Sequence, residues 1–222
     1  MNITVILLGI VIILLVYVLY KYVTKPSALT TDLVDLNKST QSIPVDKIVG
    51  NSSARYSYAS WIYVNSWSTN SQKNLISRGS DMRLYLDTTT PSLKYEYMDT
   101  ASTPASQTII ITNDLPLQKW VYVIVNIDGS IMDAYIDGKL VISKKLSTPP
   151  KISAASIDLG KSGNPQDIYL AKVSRWDKVI DPQTAWNYYM EGNGISNGVL
   201  PNYNVKVGLY KDNSPTKEFS LF

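Results

Sequence analysis

The chain has 222 residues, 45% of them hydrophobic and 18% charged, with a formal net charge of +3. That composition builds a packed core and excludes general disorder. Apart from Lys21 and Lys25, basic and acidic residues nearly balance, leaving no bulk basic charge for nucleic acid. Cysteine and histidine are absent, which excludes disulfides, thiolate nucleophiles, Cys/His zinc sites and imidazole bases, and suits folding in a reducing compartment.

The run from Ile3 to Tyr20 is apolar apart from Thr4 and Gly9 and carries no charge before Lys21. About 20 helical residues cross a hydrocarbon core of about 30 Å, so residues 1–25 are predicted to be a single transmembrane anchor. Tyr17, Tyr20 and Tyr22 gather at its end with Lys21 and Lys25, the aromatic and cationic pattern of a membrane interface, and Pro26 stops the helix. A cleaved signal peptide needs a basic segment ahead of a shorter apolar core and a small-residue cleavage site, and this run has none of these. Both lysines follow the run, so the positive-inside rule puts the rest of the chain on the cytosolic side. The sequons Asn37-Lys38-Ser39 and Asn51-Ser52-Ser53 would matter only on the other side.

Residues 26–50 are polar, with apolar positions in no clear period. They read either as a tether that lets the domain stand off the bilayer or as a first edge strand. Residues 51–192 then read as strands between turn residues. In Tyr56 to Val64, alternation puts Tyr56, Tyr58, Ser60, Ile62 and Val64 on one face and Ala59, Trp61 and Tyr63 on the other. Further strands are predicted at Lys73 to Ser77, Met82 to Leu86, Leu93 to Met98 and Thr108 to Thr112. Trp120 to Ile127, Ile131 to Ile136 and Leu140 to Ser143 form a meander through Asp128-Gly129 and Asp137-Gly138, turns in which both central residues need positive φ. Ile157 to Gly160 and Ile168 to Trp176 follow. Asp181-Pro182 opens a helix through Met190, stopped by Gly192. Residues 193–222 hold a late strand at Val205 to Tyr210 and an apolar end, Phe219 to Phe222, which either folds back or docks on a neighbour. Even strand spacing predicts an all-β, two-sheet antiparallel sandwich behind one N-terminal transmembrane helix.

Several of these elements share an order: Ser60-Trp61, Ile76-Ser77-Arg78-Gly79, Trp120 to Val125, Tyr135-Ile136-Asp137-Gly138-Lys139-Leu140-Val141, Asp158-Leu159-Gly160 and Val173-Ser174-Arg175-Trp176. The ordered set resembles the concanavalin A-like lectin/glucanase superfamily in its laminin-G-like, pentraxin-related branch, except that the closing strand lacks its usual glycine. The resemblance implies a jelly-roll sandwich and leaves the ligand open.

Glucanase members of that superfamily carry a Glu-x-Asp-x-x-Glu strand that supplies acid and nucleophile. The three glutamates here, Glu96, Glu191 and Glu218, match no such pattern, and Glu96 and Asp99 alternate to opposite sides of a strand. The chain is therefore expected not to be an enzyme. The resemblance also raises Ca²⁺ at Asp128, Asp133, Asp158 and Asp167. No acidic loop gathers six oxygens, so no cofactor or metal is expected, with Ca²⁺ the disfavoured alternative. A sugar site needs aromatic platforms. Trp67, in the 65–70 loop, and Tyr95 and Tyr97, on one strand face, are the candidate ligand-binding residues, with loop anchoring the competing role for Trp67. Trp61, Trp120, Trp176 and Trp186 read as core or helix-packing residues. Lys144-Lys145 and Lys172/Arg175 read as solvated faces.

Single-pass proteins with such a domain occur in large icosahedral DNA viruses, at the inner membrane or capsid, and the cysteine-free, Asn/Tyr/Ile/Ser/Thr-rich composition is similar. The resemblance implies a non-enzymatic minor capsid or virion membrane protein tethering bilayer to shell. Its domain would lie on the cytosol-derived face, with lipid and capsid subunits as partners. The alternative is a membrane-anchored, lectin-like attachment protein that binds glycans.

Overall fold

Helix α1, Ile3–Thr24, forms from the apolar run. The computed structural model describes residues 3–24, 27–30, 32–38, 41–69, 71–101, 103–160, 166–194, 206–211 and 214–220. Leu8 and residues 10–19 of α1 are exposed, so the helix is apolar on every face. Its side chains are described only over residues 8–19, and among the described residues no helix is long and apolar enough to cross a membrane. The structure thus supplies the predicted helix and not its membrane crossing.

The strands in chain order are β1 (Ser27–Ala28), β2 (Val34–Asp35), β3 (Gln41–Ile43), β4 (Arg55–Val64), β5 (Lys73–Arg78), β6 (Met82–Leu86), β7 (Leu93–Met98) and β8 (Ser106–Thr112). β9 (Trp120–Asp128), β10 (Ile131–Ile136), β11 (Lys139–Lys145), β12 (Ile157–Leu159) and β13 (Ile168–Trp176) follow. Helix α2 (Pro182–Met190) precedes β14 (Lys206–Lys211) and β15 (Ser214–Ser220). One sheet runs β1-β13-β4-β9-β10-β11, with β2 also on β13, and the other runs β3-β12-β5-β6-β7-β8. Every pairing is antiparallel, and the two sheets stack as a sandwich.

Alternation in β4 places its two side-chain sets as the sequence predicts. Tyr56, Tyr58, Ile62 and Val64 join the interlayer core, while Ala59 and Trp61 face outward onto a second cluster under α2. β9 divides likewise, with Val121, Val123, Val125 and Ile127 inside and Tyr122 and Ile124 under the helix. A strand covered on both faces reads as a continuous apolar run. Two polar side chains survive between these layers because they satisfy each other. The Ser57 hydroxyl donates to Asn126 Oδ1 at 2.6 Å, and Asn126 Nδ2 donates to the Ile180 carbonyl at 2.7 Å, fixing the chain just before α2.

The α2 cap is as predicted. Asp181 accepts from the Thr184 amide at 3.0 Å and the Thr184 hydroxyl at 2.5 Å. These bonds hold the Asp181 carboxyl below its ordinary range. A depressed folded value means the contribution is complete above the unfolded pKa and is lost as pH falls through the folded one. Asp181→Ala is expected to cost about 1 kcal/mol in urea unfolding near neutral pH. The gap to wild type should close as the pH falls from about 4, where the unfolded carboxyl protonates, through the lower value of the folded one.

The meander turns divide in a way the dipeptides do not reveal. Asp137 (φ 50°) and Gly138 (φ 74°) are both left-handed between Ile136 and Lys139, as a type I′ turn requires. In the other turn Asp128 pairs with Ile131, so the central pair is Gly129-Ser130 and only Gly129 (φ 57°) is left-handed. The closing strand bulges between Ala171 and Ser174, where Lys172 takes φ 48° in the region that favours glycine, beside the place where the family's glycine is missing.

The structure decides two open sequence readings, at residues 26–50 and in the tail, and overturns one, at Arg175 and Lys172. The described residues between 27 and 50 are laid along the sandwich, with β1 and β2 on β13, β3 on β12, and Val34, Leu36, Ile43 and Ile48 in the core. Arg175 is no solvated cation. It is fully buried, with Nη1 on the Val49 carbonyl, Nη2 on the Gly50 carbonyl at 2.9 Å, and its guanidinium over the Tyr56 and Tyr58 rings. Lys172 is half-buried and donates to the Gly192 carbonyl at 2.8 Å. In the tail, β15 pairs with β14 in a hairpin that puts Phe219 opposite Val207, while Leu221 and Phe222 lie outside the described residues.

Candidate binding groove

Each sheet has an edge at either end, and at one side of the sandwich these are β8 and β11, each with one side unpaired among the described residues. Alternate backbone amides and carbonyls of an edge strand have no strand partner, so an edge is a template for another chain unless something covers it. Here the two free edges border a groove of about 520 Å³. That volume falls within the ~300–1,000 Å³ of small-ligand sites. Its floor is apolar, from the buried Tyr97, Ile109 and Leu146, and its walls carry Gln107, Thr108, Lys144 and Lys145. Neither lysine makes an ion pair among the described residues, so the rim presents unneutralised positive charge over an apolar floor. Gln107 is oriented by Asp99, whose carboxylate accepts from Gln107 Nε2 at 3.3 Å and from the Ala105 and Ala101 amides. The Ala105 amide is the main reason that carboxyl sits below its usual range.

The outward face of the same sheet is already self-complementary. Arg83 donates to Glu96 at 2.8 Å and to Gln72 at 3.1 Å, and lies 4.3 Å from the Tyr85 ring centroid. Lys94 meets Asp87 at 2.8 Å. Charges so paired offer little to a charged ligand.

The predicted sugar platforms are not open rings: Tyr97 reaches the groove only at its floor, and Tyr95 lies wholly in the core. Tyr95 and Tyr97 are 1% and 2% exposed and stack on each other inside the sandwich. The Tyr95 hydroxyl bonds that of Tyr56 at 3.1 Å, and burial raises both phenols well above their ordinary values. Period-two alternation put them on one face correctly, but that face is the core. Trp67 packs against the core with the Lys73 ammonium 4.1 Å above its ring, so one face is occupied. Lys73 is held there by the Ser68 and Ser71 carbonyls, and burial lowers its pKa. Tyr95 and Tyr97 come together in the core, and Trp67 lies apart from them against Lys73.

The four aspartates raised for Ca²⁺ are dispersed. Asp128 pairs with Arg55, Asp167 accepts from Asn65 and Ser66, Asp133 is on β10, and Asp158 is on β12. Among the described residues no three His, Cys, Asp or Glu side chains form a metal-sized group. Of the membrane-interface residues, Tyr17 is exposed and Tyr20, Lys21 and Tyr22 follow it on α1, while Lys25 lies outside the described residues. The groove was not foreseen from sequence. Its one legible trace was Lys144-Lys145 at the end of an exposed strand.

No curated protein matches the chain. Among solved structures it is similar to the botulinum neurotoxin serotype D binding domain, at 17% identity and a TM-score of 0.58, over 74% of this chain and 44% of that one. It is also similar to the binding domain of botulinum neurotoxin DC solved with rat synaptotagmin II, at 17% identity and a TM-score of 0.54, over 68% of this chain and 39% of that one. A type C neurotoxin structure, from work on cell entry through two ganglioside molecules, matches at 20% identity and a TM-score of 0.50, over 62% and 35%. The chain spans less than half the length of each, and the likeness is one of fold. Residues 37–196 match the family described as the concanavalin A-like lectin/glucanases superfamily, well over half of the sequence. With the two stacked antiparallel sheets, that match makes the chain a member of the concanavalin A-like lectin/glucanases superfamily.

Proposed function

We propose that the chain is a non-enzymatic, membrane-tethered binding protein, held in a bilayer by α1 and engaging a protein partner through the groove between β8 and β11. The groove carries this reading. Two unpaired strand edges supply backbone hydrogen bonds to an extended segment, the apolar floor takes alternate side chains, and Lys144 favours an acidic one. The anchor is supported by a 22-residue helix whose described faces are all apolar, a surface unsuited to water. In its most specific form the protein is a minor capsid or virion membrane protein joining bilayer to shell.

A second reading is favoured by the groove's polar walls. Gln107, Thr108 and Lys144 are hydrogen-bonding groups of the kind that hold an acidic glycan. Thr108→Glu with Lys144→Glu narrows the groove and reverses its charge, leaving two glutamates against Lys145. In the native membrane, a photoreactive residue at Ser147 of the full chain should cross-link to a shell protein, and the double variant should abolish the adduct. Binding to sialylated or sulfated glycans on an array, lost in the same variant, selects the glycan reading. Cross-linking and glycan binding that are both absent, or both unchanged in the variant, would remove the groove as the recognition site.

A further inference from the structure

Helix α1 ends at Thr24, and β1 begins at Ser27, already paired Ser27 with Arg175 and Ala28 with Ser174. Three peptide steps reach at most about 11 Å. The headgroup layer on each side of a bilayer is about 5–8 Å deep. An anchor ending at the membrane surface therefore leaves the sandwich no room to stand off, and the end of β13 carrying Arg175 is the membrane end.

Antiparallel pairing decides what else lies there. β4 begins at that end, with Ser57 opposite Trp176, and β9 finishes there, with Asp128 opposite Arg55. The turn to Ile131 follows, and Lys145 closes β11 opposite Ile131. Arg175 binds the Val49 and Gly50 carbonyls, and Ser53 reaches the Asp177 carbonyl at 3.5 Å. Ser53 also lines a small cavity with Ile152. This end exposes Val49 (56%) and Ile152 (46%) in loops and Ile131 (50%) at the start of β10, positions where water favours polar residues. Arg55 and Lys151 are paired with Asp128 and Asp81, whereas Lys145 and Lys178 are exposed and make no ion pair among the described residues, against Asp46 and Asp177. The far end also exposes Leu117 and Leu140, so connectivity decides between the two ends.

Building on α1 as the anchor, we infer that the Arg175 end of the sandwich rests on the bilayer. Val49, Ile131 and Ile152 enter the interface, and Lys145 and Lys178 meet anionic phospholipid headgroups. The groove then opens sideways, just above the membrane.

The sequence has no cysteine, so single labels are clean. Ile131→Cys and Leu140→Cys full-length chains, each carrying an environment-sensitive fluorophore, are placed in vesicles of phosphatidylcholine with or without phosphatidylserine. The label at 131 should emit to the blue and be quenched by nitroxide lipids, more strongly with phosphatidylserine, while the label at 140 stays in water. Adding Lys145→Glu and Lys178→Glu should remove the phosphatidylserine dependence. Flotation reads the anchor separately. A chain that does not float with vesicles overturns the anchor and this inference together. A chain that floats with both labels equally wet overturns the docking alone. Blue-shifted emission at 131 that ignores phosphatidylserine and both lysines overturns the headgroup contact.

Discussion

Trp61→Ala should lower the unfolding free energy by about 3–5 kcal/mol, the range for deleting a buried tryptophan. Trp61 is 6% exposed on the outer face of β4, 5.0 Å from the Tyr122 ring centroid and stacked on Tyr189 of α2 at 5.6 Å. Its loss removes one of the two buried tryptophans, with Trp176, between the sheet and the helix that covers it. Aromatic pairs add about 0.5–1.5 kcal/mol each beyond buried area, so both ring contacts count. The indole N–H has no partner, so Trp61→Phe should cost well under half as much, since no hydrogen bond is lost with it. Urea midpoints at unchanged m-value give the measurement, and a thermal midpoint about 10 °C lower is expected for a domain of this size. A change below about 1 kcal/mol would show that α2 is not held through this residue.

Arg175→Ala is expected to cost about 3 kcal/mol, part cavity and part lost charge-assisted hydrogen bonds. Among the described residues no carboxylate pairs with Arg175. The cation is balanced by the carbonyls of Val49 and Gly50 and by the Tyr56 and Tyr58 rings, whose centroids lie 5.6 and 5.7 Å away. A flat guanidinium fork can clasp two successive carbonyls and stack at once, and a lysine cannot. Arg175→Met, which refills the space without the fork, should recover the cavity part alone. Hydrogen exchange separates the two. The Leu29 and Thr30 amides, bonded to the Val173 carbonyl next to this site, should exchange faster in both variants. Native stability and protection in Arg175→Ala would show that the clasp contributes nothing.

Most strands were legible because each β-branched or aromatic run is bounded by turn residues and alternates with period two. Legibility failed where one sequence sign has two physical meanings. Tyr95 and Tyr97 are amphipathic and share a strand face, which suits a sugar platform and a sandwich interior equally well, and only the second sheet chooses the interior. Arg175 follows Lys172 on a strand end and looks solvated, yet segment 48–50 comes from more than a hundred residues upstream to cover it. Residues 26–50 left tether and edge strand undecided because β2 and β3 are only two and three residues long, too short for a period to show, and the edge-strand reading holds through pairing with strands far along the chain.

By itself the sequence determined the strands from β4 to β14, the Asp137-Gly138 turn, the Asp181 cap, and the absence of histidine and cysteine chemistry. These depend on residues a few positions apart, whose conformational preferences act before any long-range contact exists. Tertiary structure alone decided that two free edges, β8 and β11, border one groove, that a cation is clasped in the core, and which end of the sandwich lies beside α1. Each follows from the order in which strands pair, and pairing between distant segments is settled by burying both sheets' apolar faces together rather than by any local signal.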